Sequence, residues 1–283
     1  MFRTFKPHSI LRDFILFYFE LDWKKKSPDD SIKYLSIPTG CSFMGFQKKG
    51  RMEIKMGDYN YATKKYYVNA QTTVPYQMHC SANHLNVLVA CLKPTTLYHL
   101  FNIDVSKIVN TGTSPEHLFR DELHQFSSSY DSENTIEERI DLLNGILVRQ
   151  LYTSRPTFNF IDSTIDLIIT KKGKVNVREL CHKFNVSQRY FQKKFKEMIG
   201  IPPSLYIKII RYNFIFSSFK ERDCDFKSSS ASFYFYDSSH YSKSFKKFMG
   251  ISPSKFDTAQ YPFINLTAIE QAVWTSAFQA LTN

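Results

Sequence analysis

Apolar and polar positions follow two different periods along this chain, and the change falls near residue 94. From about 32 to 92, short segments rich in Tyr, Val, Ile and Phe alternate with turn residues: "YLSIPTGCSFMGF", "GRMEIKMGDYNYA", "KYYVNAQTTVPYQMHC" and "HLNVLVACL". Branched and aromatic side chains at this spacing suit a pleated, half-buried surface and predict the strands of a small barrel or sandwich. The preceding stretch, "ILRDFILFYFELDW" (10–23), is an apolar run broken by Arg12, Asp13 and Glu20 and fits strand or short helix equally. "PTTLYHLFNI" (94–103) reads as a short helix closing the unit.

Beyond it the period lengthens. In "ENTIEERIDLLNGILVRQLY" (133–152), Ile136, Ile140, Leu143, Leu147 and Leu151 recur at spacings of three and four and share one helical face. Such a stripe either lies on the barrel or pairs with a symmetry mate in a homodimer. "TSRPTF" (153–158) reads as a linker. Four helices are then expected: 158–173, stopped by Gly173 after two lysines; 176–184; a third after a break at Asn185, capped by Ser187 and ended by Gly200; and one from Pro202 or Pro203.

The third of these helices is written again. With an offset of 50 residues and no gap, "SQRYFQKKFKEMIGIPPSLY" (187–206) lies on "DSSHYSKSFKKFMGISPSKF" (237–256). Phe191, Phe195 and Met198 make the buried stripe of the first copy, and Tyr241, Phe245 and Phe248 that of the second. Ser252 is placed to cap a further helix opened by Pro253. Two copies are too few for a solenoid, so they are sister units of one domain.

Charge sharpens this division. Residues 1–159 hold 19 basic and 16 acidic side chains, whereas 160–263 hold 18 and 9, and 264–283 hold 0 and 1, within a total of +11. A basic segment is the electrostatic footprint of a nucleic acid or acidic-membrane partner, set against simple solubilising charge. No apolar run of about 18 residues argues for a membrane span, and the amino terminus lacks a signal-peptide pattern. The five cysteines, Cys41, Cys80, Cys91, Cys181 and Cys224, show no paired spacing, which suits a reducing cytoplasm.

A short helix, a tight break and a second helix with a polar, basic outer face make a helix-turn-helix unit. Two such units, each ending in Gly-Ile-x-Pro-Ser and an aromatic, resemble the DNA-binding domain of the AraC/XylS family of transcriptional regulators over about 160–261. The most specific stretch is Ser239 to Phe256. The resemblance implies a bacterial regulator whose recognition helices enter successive major grooves of double-stranded DNA, with RNA polymerase as a further partner. By position in the motif, Gln188, Arg189, Gln192 and Lys193 are base-edge candidates in the first unit, and Ser238, Ser239, His240, Ser242 and Lys243 in the second. Gln suits adenine, while Arg and Lys suit guanine, so the first unit is expected to carry more base readout. The second unit departs from the family pattern at Ser229-Ser230 and Tyr234-Phe235. "IPTGCSFMGF", "VNAQT" and "LVACLKPTTLYHLFNI" are similar to the cupin-like sensor domain of some such regulators, which implies a β-barrel that binds a small-molecule effector or supports dimerisation.

His79, Cys80 and His84 raise a metal reading, but the His-x-His pair and later Glu of a catalytic cupin are absent. Alternation along one strand would put the two histidines on opposite faces, so satisfied structural histidines are expected. No phosphate loop, nucleophile elbow or zinc spacing occurs, so no cofactor, metal or catalytic group is expected. The predicted class is α+β: a cupin-like barrel with helices (1–152), a linker (153–158), an all-α domain of two helix-turn-helix units (159–262) and a carboxy-terminal tail (263–283) that fits a helix packed on the domain, a partner contact or a disordered segment equally. The rival readings are a ligand-binding or assembly protein with a degenerate, weakly DNA-binding domain, and a cupin-type enzyme.

Overall fold

The computed structural model describes residues 2–119, 122–132, 135–221 and 237–256, with the backbone alone for 217–221. Ser229-Ser230, Tyr234-Phe235, Cys224 and the tail from 263 lie outside the described residues. The amino-terminal strands are β1 (Phe2–Phe5), β2 (Ile15–Lys24), β3 (Ile32–Ser36), β4 (Ser42–Lys49), β5 (Glu53–Met56), β6 (Tyr59–Ala62), β7 (Tyr66–Asn69), β8 (Tyr76–Cys80) and β9 (His84–Leu92). They form two facing antiparallel sheets, ordered β1-β2-β9-β4-β7 and β3-β8-β5-β6. The run at 10–23 resolves into a tight turn at Ser9–Leu11 and strand β2. Ile15 to Leu21 are all buried, which is why that strand reads as continuous rather than alternating.

Period two divides the larger sheet into two cores. Met44, Phe46, Tyr66, Val68 and Leu88 face outward onto helices. Phe19, Leu21, Val87, Val89 and Cys91 face the second sheet. The covering helices are α1 (Thr96–Phe101), α2 (Glu116–Phe119), α3 (Glu122–Ser132) and α4 (Ile136–Ser154). The sequence reading anticipated α1 and α4 but not α2 or α3. Thr135 and Glu138 close a capping box at the start of α4.

The stripe on α4 is used inside the protomer: Ile136, Ile140, Leu143 and Leu147 are buried against the chain's own strands and helices. Of the two readings of this stripe, these four side chains follow the one in which the helix lies on the chain's own barrel. A buried ion network fixes the same helix. Arg139 donates to Glu20 Oε1 at 2.8 Å and to Asn86 Oδ1 at 2.7 Å, and Arg3 donates to Glu20 Oε2 at 2.7 Å. Burial alone would raise the Glu20 carboxyl, but these donors outweigh it and hold it below the usual glutamate range.

His79 and His84 do not lie on one strand, as alternation had suggested. Ser81 to Asn83 intervene, so His79 ends up in β8 and His84 in β9, in different sheets. Each has its own carboxylate: His79 with Glu53 at 3.3 Å and His84 with Asp22 at 2.7 Å. Cys41, Cys80, Cys91 and Cys181 are buried thiols. Among the described residues no helix is long and apolar enough to cross a membrane.

The carboxy-terminal helices are α5 (Phe160–Thr170), α6 (Val177–Lys183), α7 (Gln188–Ile199), α8 (Pro203–Glu221) and α9 (Ser238–Met249). They belong to the α part of an α+β fold. One continuous apolar cluster runs from the inner face of the sheets into these helices, from Ile37 and Cys41 to Tyr206 and Ile210.

Candidate nucleic-acid interface and sensor cavity

The first unit is α6, a tight turn and α7. Asn176 and Glu179 form a capping box on α6. Asn185 takes φ of 50° at the break, the left-handed position that Asn tolerates better than most residues. Ser187 then accepts from the Tyr190 amide at 3.3 Å and opens α7. In the second unit Asp237 takes that role, accepting from the His240 amide at 2.6 Å. Neither α7 nor α9 carries an acidic residue in its first turn, unlike α5 and α6. The positive end of α7 therefore meets no carboxylate from its cap or first turn, whereas that of α9 meets the Asp237 cap.

Burial repeats with the offset of 50. Phe191, Phe195, Met198 and Ile199 are buried in α7, as are Tyr241, Phe245, Phe248 and Met249 in α9. All nine candidates, Gln188, Arg189, Gln192, Lys193, Ser238, Ser239, His240, Ser242 and Lys243, are exposed. Gln188 and Gln192, and Arg189 and Lys193, are four apart and so form adjacent rows on one face of α7. Tyr190, half exposed beside Arg189 with its ring 5.8 Å from that of Phe160, shares this surface and was missed, because an aromatic in a helix reads first as core.

Helix α8 joins the units through aromatic packing. Tyr206 meets Phe195 at 5.7 Å, and Tyr212 stacks on Phe248 at 4.5 Å while its hydroxyl donates to Ser244 at 2.9 Å. Burial pushes the Tyr212 phenol up to about 12. Burial also lowers Lys208, helped by Lys247 and Arg211 nearby. Gly200 and Gly250 end α7 and α9 at positive φ, as the motif requires. Ser252 is the cap residue before Pro253, yet its side chain makes no cap bond, and Pro253–Lys255 is a 3-10 turn rather than the helix expected there.

The first unit is held against the barrel. His99 on α1 bonds Asp162 on α5 at 2.9 Å, and Lys194 on α7 donates to the Tyr98 hydroxyl at 2.6 Å. Asp162 is partly buried, which would raise it, but His99 and the Asn159 amide hold it below the usual range. At Gly200 a Cβ would stand 2.7 Å from Val109. Asn213 on α8 donates to the Thr39 carbonyl at 2.6 Å. Between the two sheets lies an apolar cavity of about 90 Å³, lined among others by Phe19, Met52, Ile54, Tyr67, Met78 and Val89.

A family model described as a helix-turn-helix domain, HTH_18, matches residues 180–259 and so runs through both repeated units. The match identifies this part of the chain as a helix-turn-helix domain. Its amino-terminal part, residues 3–114, matches a second model described as a domain of unknown function, DUF6597. No curated protein matches the chain. Among solved structures, ToxT from Vibrio cholerae is 15% identical at a TM-score of 0.43, over 84% of this chain and 96% of that one. ToxT from Vibrio cholerae strain SCE256 with bound unsaturated fatty acid is 16% identical at 0.41, over 83% and 92%. The AraC-like transcriptional activator CuxR is 13% identical at 0.28, over 78% and 86%. At TM-scores of this size the likeness bears on neither ligand nor mechanism. The helix-turn-helix match falls on the helical part of the chain, and the match to the domain of unknown function falls mainly on the β-rich part ahead of it.

Proposed function

We propose that this chain is an AraC-type regulator that reads double-stranded DNA sequence-specifically with α7 and α9 in successive major grooves, and that a small-molecule effector in its β-rich part controls it. One observation carries the reading: two helices of the same pattern, 50 residues apart, bury matching apolar stripes and expose matching polar faces. Major-groove edges are read by such side chains, while Lys and Arg hold the phosphates. Gln188, Arg189, Gln192, Lys193, Ser238, Ser239, His240, Ser242 and Lys243 are the proposed contacts, with Tyr190 beside them. The division into a sensing part (1–152), a linker (153–158) and a DNA-binding part (159–262) belongs to the same proposal, as does a cytoplasmic location.

The test is random-site selection with the full-length protein, followed by titration of the enriched site at two salt concentrations. Two half-sites one helical turn apart support readout by both units. Binding that enriches no sequence and collapses with salt would leave only the basic charge at work. The reading of a ligand-binding or assembly protein would then replace this one.

A further inference from the structure

We propose that the cavity between the sheets binds an uncharged, mainly apolar small molecule, and that two segments of its wall carry occupancy to the first helix-turn-helix unit. This deepens the effector reading above and rests on it only for the biological purpose of the signal.

The lining chemistry selects the ligand class. Phe19, Leu21, Ile54, Val87 and Val89 supply apolar walls, and none of the lining residues is charged. A carboxylate or ammonium placed there would lose its water without gaining a counter-charge, a penalty that no lining group offsets. The hydroxyls of Tyr61 and Tyr67 and the amide of Asn69 can bond a neutral hydroxyl or carbonyl. Burial raises the Tyr67 phenol, so it stays neutral at any physiological pH. Its ring lies over Gly45, directly across the strand pair, where a Cβ would run into it. The space of about 90 Å³ suits a small ring or short chain, and Met52, Met56 and Met78 can re-pack around something larger.

The wiring follows from shared residues. Thr39 lines the cavity, and its carbonyl accepts from Asn213 on α8 at 2.6 Å. The next residue, Gly40, sits at φ +87° with its Cβ position 2.9 Å from Ile210 Cδ1 and 3.3 Å from the Tyr206 ring. Gly40 is also tied back to the barrel, since its carbonyl accepts from Gln71 Nε2 at 3.0 Å. On the other side, Asn110 and Thr111 line the cavity. Val109 and Val105, just before them, press on Gly200 at the end of α7. Any ligand that shifts either wall segment therefore shifts the seat of α7 or α8. Asn213 acts here as a positioning residue.

The test uses full-length protein without DNA, so it stands whether or not a DNA site is found. Benzyl alcohol and benzoate serve as a matched neutral and charged probe. The alcohol should raise the unfolding midpoint saturably, and at about ten times its dissociation constant it should favour the folded state about elevenfold. Benzoate should not. Val89→Phe should abolish the shift by filling the cavity, and Met78→Phe provides the same test if Val89→Phe does not fold. Hydrogen exchange with benzyl alcohol bound should slow in 199–213 as well as in the barrel. In Asn213→Ala the alcohol should still bind and still protect the barrel, while the response on α8 is lost. A merely structural role would speed exchange by the same factor with and without the probe. The proposal is overturned if benzoate shifts the midpoint as much as benzyl alcohol, if cavity-filling variants keep the shift, if exchange changes stop at the barrel, or if Asn213→Ala leaves the α8 response intact.

Discussion

Gly200 and Gly250 occupy the same place in the two repeats, and replacing each with Ala separates backbone strain from the fit between barrel and helices. Both have positive φ, 96° and 78°. An L-residue held in left-handed backbone costs about 1–2 kcal/mol, so that part is common to both. Among the described residues only Gly200 has neighbours at that position. A Cβ there would lie 2.7 Å from Val109 Cγ2 and 3.1 Å from both Val105 Cγ1 and its carbonyl oxygen, whereas among the described residues nothing lies within 4 Å of the Gly250 position. Overpacking of this kind adds about 1–3 kcal/mol. Gly200→Ala should therefore lose about 2–5 kcal/mol and Gly250→Ala about 1–2 kcal/mol in urea denaturation of the full-length protein. Adding Val109→Ala removes the closest atom, so the double variant should cost about 1–2 kcal/mol less than the sum of the single ones. Equal losses at the two glycines, or strict additivity with Val109→Ala, would refute the claim that the turn at 105–109 is seated on α7.

Once the enriched DNA site is known, Gln192→Ala and Lys193→Ala should each relax preference at particular base pairs by about 1–3 kcal/mol in competition binding; a uniform loss on every sequence would assign them to phosphates. Glu20→Ala should destabilise by about 3–5 kcal/mol in chemical denaturation, because Arg139 would stay buried without a counter-charge. The Asp162 carboxyl is held below its ordinary value of 3.8 in the folded protein, so its contribution is complete above about pH 3.8 and is lost as pH falls through the lower folded value. Asp162→Asn should lower stability at pH 7 and flatten the acid limb of a stability-pH profile; an unchanged acid limb would count against the His99 pairing.

The repeat made the carboxy-terminal half legible. Its apolar positions recur every three or four residues, its helix ends are marked by Ser187, Gly200 and Gly250, and its break falls on Asn185, all signals confined to a few neighbouring residues. The exposed face of α7 could be read for the same reason. Helices α2 and α3 were not legible: "EHLF" and "ELHQFSSSYDS" carry few apolar residues, and Phe119, Leu123, Phe126 and Tyr130 become a helical face only against Phe46 and Tyr66 of the sheet. The stripe on α4 was visible, but not which surface would cover it. The seating of α7 and α8 on the barrel left no local trace at all. Gly40 looks like an ordinary turn residue and Ile210 like an ordinary core residue, and their meeting depends on contacts across more than 150 positions of chain.

The apolar cluster shared between the sheets and the helices also bears on how such a protein can be cut and recombined. Cleavage between Arg155 and Phe158 would sever the chain but not His99 from Asp162, Lys194 from Tyr98 or Asn213 from Thr39. The two pieces should migrate as one particle and separate only on denaturation. A chimera that fuses these helices to another sensor would inherit bare surfaces at Gly200, Tyr206 and Ile210 unless it also brought the turns at 39–40 and 105–109. The smallest transferable part is thus defined by that seam, and the linker in the sequence does not mark it.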